Sequence, residues 1–169
     1  MAHWLLRLLK HRRLDETDAE RLLGAGALQR IEARVAASEV HHSGEIRVCV
    51  EAGLPLSYIR REARVRERAV MMFGKLHVWD TEHNNGVLIY LLLAEHAIEI
   101  VADRGLARHV DAAHWQRITE TMSAAFKAGE FEAGLNQAID AVDQVLKAQF
   151  PLAPGATNPN ELPDKPYLR

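Results

Sequence analysis

A chain of 169 residues, 48 % hydrophobic and 26 % charged, has the size and make-up of one soluble globular domain. Its formal net charge of −2 lacks the basic excess of a general nucleic-acid binder, so no nucleic-acid partner is expected. Cys49 is the sole cysteine, which excludes an intramolecular disulfide. The longest apolar run, Val87 to Ala94, falls far short of the ~20 residues that span a bilayer.

Residues 1–14, MAHWLLRLLKHRRL, form an amphipathic basic segment. Trp4, Leu5, Leu8 and Leu9 recur at helical spacing, with Arg7, Lys10, Arg12 and Arg13 around them. Arg7 interrupts the apolar part, the positive charge follows it, and no small-residue cleavage site appears. The segment therefore reads as retained rather than as a signal peptide, and the protein as cytoplasmic. A terminal helix docked on its own domain or on a second subunit is the expected role, because Arg12 and Arg13 do not segregate from the apolar stripe. The alternative is a short interfacial helix on anionic lipid, a peripheral membrane contact.

Residues 15–150 carry the regular pattern. Thr17-Asp18-Ala19-Glu20 is expected to form a capping box. Leu28, Ile31 and Val35 continue a helical stripe, with a break at Gly24 and Gly26 and an end at His41-His42-Ser43-Gly44. Glu45 to Glu51 alternates as a half-buried strand does. Pro55 and Ser57 open a helix with the apolar face Ala69, Met72, Phe73 and Leu76. Its arginines Arg60, Arg64 and Arg68 stand at i, i+4 and i+8 among Glu62 and Glu67, which predicts a solvated face; contact with an acidic partner or lipid headgroup is the alternative.

Gly86 to Ala94 is apolar on both faces and reads as a central strand. Glu95-His96 connects it tightly to a third strand, Ala97 to Ala102. Trp115, Ile118 and Met122 mark one further helix, and Leu135, Ile139, Val142 and Leu146 another; Trp79 and Trp115 read as core or loop anchors. The order predicts an α/β fold, a small mixed β-sheet of three to four strands between helices. Residues 151–169, rich in proline and asparagine, are expected to run extended over the surface as a linker-like tail.

The helical crossover makes strands one and two parallel, and the short connection makes strands two and three antiparallel. Three loops then share one edge of the sheet: the approach to strand one (His41, His42, Glu45), the approach to strand two (Asp80 to Asn85) and the exit of strand three (Asp103, Arg104). Asp80, Glu82, Asn84 and Asp103 are hard oxygen donors of the kind Ca²⁺ and Mg²⁺ prefer, and a divalent metal site is one reading of them. Asx turns at Asp80 and Asn84, with Asn85-Gly86 supplying positive φ, are the other. His41, His42, His77 and His83 lack the spacing of a zinc motif.

Nucleophile motifs are missing. Cys49 lies inside a strand with no phosphate-cradling loop after it, Arg108-His109 lacks the glycine of a histidine phosphatase, and no DxD, P-loop or GxGxxG is present. Metal-assisted hydrolysis stays open.

Together SGEIRVCVE, NNGVLIYLLLAEHAIEIVADRGL, HVDAAHWQRI and FKAGEFEAGLNQAIDAV resemble the TPM domain, the family named for thylakoid-lumen, photosystem II repair and acetylcholine-receptor-modulator proteins. The resemblance runs from about residue 25 to 148 and rests on Asn85-Gly86-Val87-Leu88, Gly105-Leu106, Asp111 and Phe126 to Phe131. It implies a Rossmann-like sheet sandwiched by helices, divalent-cation binding and acid phosphatase activity in some members, and assembly or repair roles at membranes. Ala107 stands where the family commonly has an acidic residue, and Asp103 where it has glycine. Two functions follow as expectations: a non-catalytic module binding a partner protein or a membrane surface, tuned by a divalent cation, and a metal-dependent phosphatase-like hydrolase.

Overall fold

The strand β1, Glu45–Glu51, pairs in parallel with β2, Gly86–Leu92, in the register Glu45 to Gly86 through Glu51 to Leu92. β3, Ala97–Ala102, returns antiparallel along β2, with Val87 opposite Ala102. The computed structural model describes residues 2–169, with side chains from Leu5 onward, so the expected part of Trp4 in the N-terminal stripe lies outside the described side chains. The sheet runs β3-β2-β1-β4, its last member being β4, Tyr167–Leu168, which lies parallel to β1.

Among the described residues eight α-helices enclose this sheet: α1 (Ala2–Arg12), α2 (Glu16–Leu23), α3 (Ala27–Glu39), α4 (Leu56–Arg60), α5 (Val65–Lys75), α6 (Arg104–Ala107), α7 (Ala112–Ala128) and α8 (Phe131–Gln149). Ile46, Val48 and Val50 of β1 point into a core shared with α2, α3, α7 and α8. Cys49, Leu88 and Tyr90 point the other way, into a second core closed by α4, α5 and Leu8 of α1. Period-2 alternation in the strands thus sends successive side chains to two different helical layers.

Several expectations are corrected. The capping box of α2 sits one turn-fraction earlier than read, with Asp15 as N-cap: Asp18 N donates to Asp15 Oδ1 (3.0 Å) and Asp15 N to Asp18 Oδ2 (3.2 Å). A carboxylate at both cap positions does what Thr17 and Glu20 were expected to do. The helix after Pro55 is two helices, and Glu62 (φ 53) turns the chain between them. That break takes Arg68 off the solvated face; it is 2 % exposed.

β1 is buried at all seven positions rather than on one face. Its polar residues meet partners instead of water, because the tail covers them. Arg47 donates through Nη1 to Pro163 O (2.7 Å) and also to Lys165 O, and Leu162 N donates to Glu45 Oε2 (3.1 Å). Ala52 N to Arg169 O (2.7 Å) and Arg169 N to Val50 O (3.0 Å) complete the β4 ladder. Residues 151–169 turn at Gly155 (φ 82) and Asn160 (φ 51), and their end is a strand of the domain and not a free linker.

Candidate functional site

The approaches to β1 and β2 and the exit of β3 do share one edge, as the topology requires. Asp103 N donates to Gly86 O (2.9 Å), and Gly105 N to Asn84 O (2.9 Å). Gly105 allows that closeness, since a Cβ there would collide with the His83 and Asn84 carbonyls. Asn85 is buried and ties the loop inward, its backbone N donating to Thr81 Oγ1 (3.1 Å) and its Nδ2 donating to Ser43 O (2.9 Å). Positive φ falls on Asn84 (52°), not on Asn85-Gly86. Gly86 serves instead as a close-approach point, packed on the Val78 carbonyl.

The four donors of the metal reading lie on these neighbouring loops without converging. Asp80 and Glu82 are exposed, Asn84 is half-buried and Asp103 is buried. Arg104 Nε donates to Asn84 Oδ1 (2.7 Å), so a guanidinium already uses the side-chain oxygen a hard cation would need. Asp103 Oδ1 caps α6 at Arg104 N (2.7 Å), and its buried Oδ2 has no partner. Glu82 N donates to the Glu161 carboxylate (3.0 Å). Among the described residues no three His, Cys, Asp or Glu side chains group to hold a metal, zinc histidines included. Asp80, Glu82 and Asp103 thus do not group as three ligands of one ion.

Behind this edge lies a buried carboxyl cluster that the sequence did not announce. Glu39 Oε1 accepts from Ile46 N (2.9 Å), and Glu45 stands beside it with Oε1 unpartnered. Burial pushes the Glu39 carboxyl up to about 9, with the Glu45 and Asp164 charges adding to the rise. Burial raises Glu45 as well. A chamber of about 260 Å³ borders Glu39, Val40, Asn158, Asn160 and Asp164.

At the opposite end of β1 a second network is closed. Arg68 meets Glu51 through Nε (2.8 Å) and Nη2 (2.5 Å), and the Tyr90 hydroxyl donates to Glu51 Oε2 (2.6 Å). Burial, then the Glu51 charge, drives the Tyr90 hydroxyl far up. Burial pushes the Cys49 thiol up to about 12, leaving no thiolate for nucleophilic chemistry near neutrality.

The N-terminal helix lies on its own domain. Arg7 donates to Glu95 Oε1 (2.8 Å) and to Ala63 O (2.9 Å). The buried His11 ring bridges Glu95 Oε1 (2.9 Å) and Leu54 N (3.0 Å), and only glycine at position 53 fits under the His11 carbonyl. The face turned away from these contacts is apolar: Leu5, Leu6 and Leu9 are 46 %, 66 % and 54 % exposed. Exposed Lys10, Arg12 and Arg13 continue it. Among the described residues no helix is long and apolar enough to cross a membrane.

A mixed four-stranded sheet between helical layers defines an α/β sandwich of the Rossmann-like kind. Residues 17–145 match the model of the TPM domain, and the chain belongs to that family. Among solved structures, the BA42 protein from the psychrophilic bacterium Bizionia argentinensis is similar to it at 28 % identity with a TM-score of 0.73, covering 86 % of this chain and 94 % of that one. The N-terminal domain of a P. gingivalis protein is alike in fold, at 22 % identity and a TM-score of 0.62, over 76 % of this chain and 79 % of that one. A comparison with curated proteins finds no match.

Proposed function

We propose that this chain is a non-catalytic TPM module that attaches to anionic membrane surfaces through the outer face of α1. What supports the reading is one observation: three adjacent leucines turned to solvent on a helix whose other face is fixed by Arg7, Leu8 and His11. A helix held this way presents its apolar face without first having to fold. Each leucine has roughly half its surface left to bury, worth about 1 kcal/mol. Lys10, Arg12 and Arg13 add about 1 kcal/mol each beside an anionic leaflet. The sum, about 6 kcal/mol, corresponds to reversible attachment with a dissociation constant on the order of 10⁻⁵ to 10⁻⁴ M.

Sedimentation with phosphatidylserine-containing vesicles tests this. The intact chain sediments with them, sediments less as salt screens the basic residues, and stays in solution with neutral vesicles. Leu6→Ser/Leu9→Ser abolishes sedimentation while leaving the melting temperature unchanged, since both side chains face away from the core. Salt-independent binding, or binding that survives the double substitution, refutes the proposal.

A further inference from the structure

Helix α8 buries Leu135, Ile139, Val142 and Leu146 against the sheet, yet it carries a second apolar stripe. Ala141, Val145 and Ala148 stand at i, i+4 and i+7, and are half-buried or exposed. Ile118 of α7 and Val110 before it face the same space. Between the two helices runs a groove of about 580 Å³ with this apolar floor, kept low by the two alanines.

The rim is polar, with Arg117 as its permanent cation. His109, His114 and Arg117 line it, and Arg108 is adjacent. Its carboxylate, Asp111, is engaged as the N-cap of α7, accepting from His114 N (2.7 Å). On the other flank of α8 the charges are matched within the domain: Arg30 pairs with Glu132 (2.7 Å) and Arg34 with Asp140. On the groove side, neither Arg108 nor Arg117 forms an ion pair among the described residues.

From these features we infer that the α7–α8 groove docks an acidic amphipathic helix of a partner protein. Its apolar stripe lies on Ile118, Val145 and the alanine floor, and its flanking Asp and Glu residues meet Arg117 and Arg108. Helix-in-groove recognition needs an apolar trough about one helix wide, and charge on the rim selects the partner and its orientation. The groove is on the opposite face of the sheet from α1, because α7 and α8 close one core and Leu8 joins the other. The inference therefore stands or falls separately from the membrane proposal.

Titrating the isotopically labelled full chain with two designed peptides, each about five helical turns long, tests the inference by amide chemical shifts. Both peptides carry leucine at i, i+3, i+4 and i+7; one has glutamate and glutamine elsewhere, the other lysine and glutamine. The glutamate peptide is expected to shift the amides of Ile118, Ala141 and Val145, and to weaken as salt is raised. Arg117→Glu, an exposed change that leaves the fold intact, should weaken it by about tenfold. Leu6→Ser/Leu9→Ser should leave peptide binding unchanged. Equal binding of the lysine peptide, shifts elsewhere on the domain, unaltered affinity in Arg117→Glu, or anionic vesicles perturbing the same amides would each overturn it.

Discussion

Glu39→Gln is expected to stabilise the fold, by an amount that grows with pH. Glu39 is 4 % exposed, accepts a hydrogen bond from Ile46 N, and has Glu45 and Asp164 as charged neighbours. Its carboxyl is pushed from an ordinary 4.5 up to about 9, so the folded chain holds a proton there at neutral pH that the unfolded chain releases. Stability attributable to this group is therefore greatest below the unfolded value, and falls as pH rises from 4.5 to about 9. At about 1.4 kcal/mol per pH unit, the loss by pH 7 reaches about 3 kcal/mol. Glutamine keeps the acceptor for Ile46 N and needs no proton, so it removes this loss. Local relaxation reduces the gain to an expected 1–3 kcal/mol, or roughly 2–10 °C in melting temperature for a chain of this size. Calorimetry of both proteins near pH 5, 7 and 8.5 should show the two curves converging on the acid side. A gain independent of pH, or a destabilised variant, would refute the reasoning.

Arg68→Met should destabilise the chain by about 3–5 kcal/mol in urea unfolding, because it leaves Glu51, 1 % exposed, charged and unpaired. The paired change Arg68→Met/Glu51→Gln should recover part of that loss. Removing residues 161–169 strips Arg47 and Glu45 of main-chain partners and β1 of an edge strand; each orphaned group costs about 1–3 kcal/mol, so cooperative unfolding should shift well below that of the full chain. Millimolar Ca²⁺, Mg²⁺ or Mn²⁺ should leave the melting temperature unmoved, with Arg104 already bonded to Asn84; a rise of about 3–6 °C that Asp80→Asn removes would restore the cation reading. The same preparations should show no phosphomonoesterase activity above that of Asp80→Ala.

Periodicity made the sandwich legible. A short apolar run with no polar face, bounded by Gly86 and Glu95, reads as a central strand, and the turn Leu93 to His96 is too short for anything but an antiparallel return, so the shared edge follows from the sequence. The polar half of β1 was misleading for a physical reason. Alternation tells which residues share a face, not what covers it; Glu45, Arg47 and Glu51 look identical whether water or the tail lies over them. Arg68 was illegible likewise, since the break at Glu62 resets the helical phase and no local pattern announces a carboxylate seventeen positions earlier. Among the four candidate donors, composition suggested ligands while the chain uses Asn84 Oδ1 for the Arg104 guanidinium and Asp103 Oδ1 for the Arg104 amide. Local chemistry alone does not separate those uses.

The two buried networks bear on function through rigidity. The elements proposed to bind partners hang on opposite sides of β1 and β2: α1 through Glu95 and Leu54, α7 and α8 through the core below. Glu51, Arg68 and Tyr90 lock one end of the strands, and Glu39, Glu45 and the tail lock the other. Replacing such polar contacts by apolar ones could give equal stability, but loosely matched apolar layers specify relative position less sharply. Were the module to hold a surface on one face and a helix on the other, as proposed, it would need that position fixed. If it is, loosening that end of the strands with Arg68→Met/Glu51→Gln should leave each binding event intact when measured alone. It should weaken recruitment of the glutamate peptide to vesicles, where both faces act at once. Recruitment unchanged from the unmodified chain would mean that the two faces need no rigid link.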